Sequence, residues 1–134
     1  MSIHKPTYKK LSEEIINLLK LKKVDEIEKI INEIHPADIA DILEILNEKD
    51  NDKLKEIIEN KKYAEAIIEL DENVKNIFLS KFSADTIAND LINQLESDDA
   101  VDIILELKDD KKEKVLSRIK NQSVLKNITN LLKY

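Results

Sequence analysis

The stretch His35-Pro36-Ala37-Asp38-Ile39-Ala40-Asp41-Ile42-Leu43-Glu44-Ile45-Leu46 comes back, altered, as Glu96-Ser97-Asp98-Asp99-Ala100-Val101-Asp102-Ile103-Ile104-Leu105-Glu106-Leu107. Asp38 lies over Asp99, Asp41 over Asp102 and Leu46 over Leu107. In both copies apolar residues fall three and four apart, the period of a helix that buries one face. A degenerate repeat of this kind marks stacked helical units, none of which buries its apolar face alone. One difference inside the repeat points to chemistry. The second copy carries Asp98 where the first has Ala37, and a carboxylate present in only one copy does not serve the fold that both share.

Outward from the repeat the same period continues. Leu11-Ile15-Leu18-Leu19 and Val24-Ile27-Ile30-Ile31-Ile34 precede it, on either side of a break at Lys22-Lys23. Between the copies lie Leu54-Ile57-Ile58, Ala64-Ile67-Ile68, Val74-Ile77-Phe78-Phe82 and Ile87-Ala88-Leu91-Ile92-Leu95. Val115-Leu116-Ile119 and Val124-Leu125-Ile128-Leu131-Leu132 follow the second copy. Pro36 suits the first position of a helix, where its missing N–H costs nothing, with Asp38 in the first turn and His35 at the helix start. Ser97 is expected as an N-cap. Asn47, Asn60 and Asn121 are expected to close helices in the left-handed conformation that glycine would otherwise supply. The result is about ten helices of three turns each, too short to persist alone and therefore stabilised by lateral packing. The predicted fold is all-α, a curved stack forming a single domain over residues 1–134, with residues 1–7 a loose tail.

Composition supports this and excludes much else. The chain has 134 residues, enough for one core, with no Gly, no Cys and two Pro. Tight strand turns need Gly for positive φ, and so do phosphate-cradling loops, dinucleotide fingerprints and nucleophile elbows. Without Cys there is neither a disulfide nor a thiolate metal site. No uncharged run approaches the roughly 18–20 residues that cross a bilayer, and the first residues lack a signal peptide's apolar core. A soluble, cytoplasmic chain is expected.

The net charge of −6 is unevenly spread: six Lys against Glu13 and Glu14 in residues 1–23 leave about −10 for the remainder. An acidic body repels nucleic-acid phosphates and attracts cations and basic surfaces. Catalysis has little to work with. His4 lies in the expected tail and His35 before a proline, and no nucleophile-base-acid arrangement follows from the order of residues. The chain is not read as an enzyme.

Asp98 and Asp102 are four apart, Asp99 and Asp102 three apart, and Glu106 extends the same side, so the second copy carries an acidic ridge. Asp98 and Asp99 both complement the positive end of a helix dipole. Asp102 fits that account less well, because like charges at helical spacing repel. Magnesium keeps most of its waters and takes one or two carboxylates, so two helical Asp supply half of such a site. The residues alone leave a divalent-ion half-site and a plain solvated face as alternatives.

In order along the chain, Ile34-His35-Pro36-Ala37-Asp38-Ile39-Ala40-Asp41-Ile42-Leu43, then Tyr63-Ala64-Glu65-Ala66-Ile67-Ile68-Glu69-Leu70, then Leu95-Glu96-Ser97-Asp98-Asp99-Ala100-Val101-Asp102 resemble the cytosolic N-terminal domain of MgtE-type magnesium transporters. The likeness covers residues 11 to 120. It implies a right-handed superhelix of short helices that precedes a pair of CBS modules and a transmembrane domain, in a full-length protein that is a homodimer. It also implies a magnesium sensor, with Mg2+ held between acidic faces of this domain and the CBS pair to favour the closed channel. Glu65 and Asp98 match interface metal positions, Asp102 is a third, and Asp99 is structural. The chain as written has neither CBS modules nor membrane helices and is expected not to transport by itself. The alternative is a structural adaptor without metal, similar to the short-helix stacks of the flagellar motor switch protein. A contiguous exposed apolar patch would favour the adaptor, and an acidic face the sensor.

Overall fold

A computed structural model describes residues 5–133, with side chains from Tyr8 onward. The helices are α1 (Lys5–Lys20), α2 (Val24–Glu33), α3 (Pro36–Ile45), α4 (Glu48–Ile57), α5 (Asn60–Glu69), α6 (Glu72–Lys81), α7 (Ala84–Thr86), α8 (Ser97–Glu106), α9 (Asp109–Arg118) and α10 (Gln122–Leu132). α7 runs on into a π-helical turn (Ile87–Leu91) and a 3-10 turn (Ile92–Gln94). Among the described residues there is no strand, and the all-α reading is correct.

A twelve-residue beat governs the order. Helices α2 to α7 begin at residues 24, 36, 48, 60, 72 and 84. Each beat is a ten-residue helix plus two residues: an extended apolar residue that ends one helix and a polar residue that starts the next. Leu46, Ile58, Leu70 and Leu107 fill the first role, all extended and all buried. Their N–H groups still close the preceding helix, as in Leu46 N to Ile42 O at 3.0 Å and Ile58 N to Leu54 O at 3.0 Å. The beat lengthens to thirteen before α8, where the π-turn takes up the added residue: the Ile92 N–H reaches Ile87 O, five residues back, as well as Ala88 O.

This pattern corrects several local expectations. Asn47 and Asn121 do not close helices but start them: Asn47 Oδ1 accepts from Asp50 N at 2.8 Å, and Asn121 Oδ1 from Ser123 N at 2.9 Å. Asn60 is the first residue of α5. At these three places the left-handed closure is not used, because a buried apolar side chain at the extended position before them turns the chain and fills the core at once. The one positive φ among the described residues is Lys22, at 57°. Ser97 sits one place inside its helix, with Glu96 at the N-cap. In α6 the buried residue is Leu79, whereas Ile77 is 53% exposed. α1 is already helical at Lys5, within the stretch expected as a tail. Met1 to His4, including the His4 considered above, lie outside the described residues.

The chain divides into two compact units, residues 1–70 and 71–134. In the first, α1 packs on α3, α3 on α5 and α2 on α4, so a helix meets the one two places on. Ile15, Ile27, Ile39, Ile42, Leu54 and Ile67 are fully buried there. In the second, α7 packs on α9 and α8 on α10, around Ile87, Leu91, Ile103, Val115 and Ile128.

Carbonyls near the ends of α2, α3 and α6 accept from side chains of later helices. Lys62 Nζ donates to Ile31 O of α2 at 2.6 Å. Lys111 Nζ donates to Leu79 O and Ser80 O of α6 at 2.9 and 3.2 Å. Both lysines hold the third position of a helix and reach the helix three before it. Buried Asn51 does the same for α3, its Nδ2 donating to Leu43 O at 3.0 Å. Cationic donors at helix C-termini also complement the dipole. Burial pulls the Lys111 ammonium below its usual pKa, an effect that neighbouring Asp110 opposes.

Candidate metal-binding face

The two copies of the repeat set out which carboxylates hold the fold and which face water. In α3 the third helical residue is Asp38, half-buried: its Oδ2 accepts from His35 N at 3.1 Å and its Oδ1 accepts from the Tyr8 hydroxyl of α1. The first contact ties down the helix start, and the second binds α1 to α3. That hydrogen bond to the Asp38 carboxylate pushes the Tyr8 pKa up to about 12, with burial and the charges of Asp38 and Asp41 adding to it. His35 itself is exposed and sits at the N-cap of α3.

Asp99 has the same place in α8, is likewise half-buried, and is engaged in a polar or electrostatic interaction. Asp98, one residue earlier, is exposed, and its counterpart is Ala37. Asp102 follows Asp98 by one turn and is exposed as well. Neither takes part in an ion pair among the described residues, whereas Asp109 pairs with Lys112 and Asp85 with Arg118. Asp98 is favoured by the helix N-terminus. The Asp98 and Asp102 pair is mildly repulsive at this spacing, and a cation between them would relieve the repulsion. Glu106, one turn further, is half-buried and turns toward a hollow of about 430 Å³ lined also by Leu79, Leu107 and Lys111.

Glu65 stands on α5, in the first unit, half-buried between the fully buried Ala64 and Ala66. Asp98 and Asp102 thus share one face of α8 in the second unit, while Glu65 belongs to the first. No group of three His, Asp or Glu side chains that could hold a metal occurs among the described residues. Asp98 and Asp102 are two carboxylates of the kind that a hard, hydrated dication takes.

Leu105 completes the stripe that begins at Asp98 and is 61% exposed, a feature legible in the spacing because it follows Asp98 by seven and Asp102 by three. Among the described residues no helix is long and apolar enough to cross a membrane.

No curated protein matches this chain. A crystal structure of the soluble part of a magnesium transporter superposes on it with a TM-score of 0.82 at 22% sequence identity, covering 95% of this chain and 50% of that one. The chain therefore spans half the length of that structure, and the likeness is one of fold. The model of the family described as the MgtE intracellular N domain matches residues 34–134, from the residue before the His35-Pro36 helix start to the last residue of the chain. On that match, the chain belongs to the MgtE intracellular N domain family.

Proposed function

We propose that this domain is the magnesium-responsive regulatory module of a magnesium transporter, acting on the cytoplasmic side of the membrane. The observation that carries the reading is the exposed pair Asp98 and Asp102 on α8, within a domain of this family. Asp38 ties down a helix start and Asp99 holds the same place in the second copy, whereas Asp98 has no carboxylate counterpart in the first.

In this reading Asp98 and Asp102 present carboxylate oxygens from a rigid helix, so little side-chain ordering is needed when a partner surface approaches. Glu65 supplies a further carboxylate from α5. A bound Mg2+ would provide positive charge between acidic surfaces that otherwise repel. The partner is a pair of CBS modules of the same transporter, with the transmembrane domain beyond it and a homodimer as the full-length assembly. High internal magnesium then holds the assembly compact and favours the closed channel.

A magnesium titration of this chain, followed by amide chemical shifts, tests the proposal. Weak binding, on the order of millimolar, is expected around α8, because two carboxylates with a mostly hydrated ion form a poor site. Asp98→Ala should abolish the α8 shifts, and Glu65→Ala should remove any shifts near α5. Shifts spread evenly over all carboxylates, or unaltered by both substitutions, sink the proposal and favour the adaptor.

A further inference from the structure

Leu21 keeps 64% of its surface exposed and Val24 42%. Both are framed by Lys20, Lys22 and Lys23, all exposed. This junction contains the positive φ of 57° at Lys22, a conformation that a residue with a Cβ adopts at a cost. The two-residue junctions described above tuck an apolar residue under the next helix. Here the left-handed turn instead leaves Leu21 outside, between lysines. Asp25 and Glu26 follow in the first turn of α2, so the positive charge is confined to the tip.

A surface of matching chemistry exists on the same chain. Asp98, Asp102 and Leu105 lie on one stripe of α8, all exposed, with Leu105 at 61%. In the first copy of the repeat the place of Leu105 is taken by Glu44. One patch is basic around a leucine and the other is acidic around a leucine.

We propose that the Lys20–Val24 tip of one molecule docks on the Asp98–Leu105 face of a second copy, lysines against aspartates and Leu21 against Leu105. A second copy fits better than an anionic lipid surface. Outside residues 1–23 the chain carries about −10, which such a surface repels and the lysine tip seeks. The contact joins two different patches, so it is heterologous. A molecule that has lost its tip can therefore still receive the tip of another.

Sedimentation velocity in EDTA tests this without any dication and so apart from the magnesium reading. The wild-type mass should rise with protein concentration at low salt and return to that of the monomer at about 0.5 M salt, where screening acts within a few Å. A tip variant, Leu21→Glu with Lys23→Glu, and a face variant, Leu105→Glu, should each need at least roughly tenfold more protein to associate. Mixed in equal amounts, the two should form a heterodimer, since each supplies the patch the other lacks. All altered side chains are exposed, and the milder Leu21→Ser and Leu105→Ser should move association in the same direction. A wild type that stays monomeric overturns the proposal, as does association that survives either variant or a mixture that stays monomeric. Tip-dependent binding to phosphatidylglycerol vesicles by a protein that remains monomeric also overturns it, and assigns the tip to a membrane.

Discussion

Asp38 and Asp98 differ by one helical position and by everything that matters for their roles. Asp38 is third in its helix, half-buried, and accepts from both a backbone N–H and the Tyr8 hydroxyl. Asp98 is second in its helix and exposed. Asp38→Ala should therefore cost about 1–2 kcal/mol in urea unfolding, by loss of a cap and of a contact between helices. Asp98→Ala should cost at most about 0.3–1 kcal/mol, its share of the dipole interaction. Equal costs at the two positions would contradict the division of roles. The Tyr8 hydroxyl gives a pH signature. Its folded pKa, near 12, lies above the ordinary 10, so its contribution is complete below pH 10 and lost as pH rises through 12. Stability should fall across that alkaline window, and Tyr8→Phe should flatten this part of the fall when unfolding is followed against pH. The aspartate pairing was legible from the repeat, since Asp38 over Asp99 can be read directly, and so was the odd carboxylate at 98. The Tyr8 contact was not, because thirty residues separate the partners and no period links them.

At the scale of the element, the start of α3 at Pro36 and its stripe Ile39, Ile42, Leu43 and Leu46 follow directly from local chemistry, and all four of these apolar side chains are buried. The closure of helices does not. Asn47 was expected to end a helix and instead begins one, because the polar residue of each two-residue junction belongs to the helix that follows. The preceding extended leucine or isoleucine does the closing. The signal is a twelve-residue beat of apolar-then-polar pairs, longer than three helical turns, which the period of about 3.6 residues within one helix does not contain. α6 departs from its expected stripe for a related reason: Val74, Ile77, Phe78 and Phe82 have helical spacing, yet Leu79 has the buried place. Several apolar faces compete on so short a helix, and tertiary packing selects among them. The lysine caps lead to a direct test. Lys111→Met keeps the aliphatic stem but removes the donor to Leu79 O and Ser80 O, and should cost about 1 kcal/mol in chemical denaturation. Lys111→Arg, which keeps a donor, should recover part of that loss. No loss in the Met variant would mean that water caps α6 equally well.

For the whole molecule, the formal charge of −6 and the family membership meet in one measurement. Any salt screens self-repulsion of an acidic body, but a carboxylate pair that takes up a dication adds mass-action stabilisation. At matched ionic strength, MgCl2 should raise Tm more than NaCl does. The excess should correspond to roughly 1.4 kcal/mol at tenfold saturation and should vanish in an Asp98→Ala, Asp102→Ala double variant. Equal effects of the two salts would leave only screening. That Asp98 and Asp102 lie one turn apart on α8 is legible from their spacing, whereas the partial burial of Asp99 and Glu106 is not. That Glu65 and Asp98 belong to different compact units is not legible either, since it depends on where the contacts divide. The two-residue junctions that join α2 through to α7 have a further consequence. One residue added inside a helix of this run would rotate the residues after it by about 100° and strand a buried side chain in water. Over this run relatives should therefore differ in length by whole beats, gaining or losing twelve residues together, or by a single residue hidden as a π-turn.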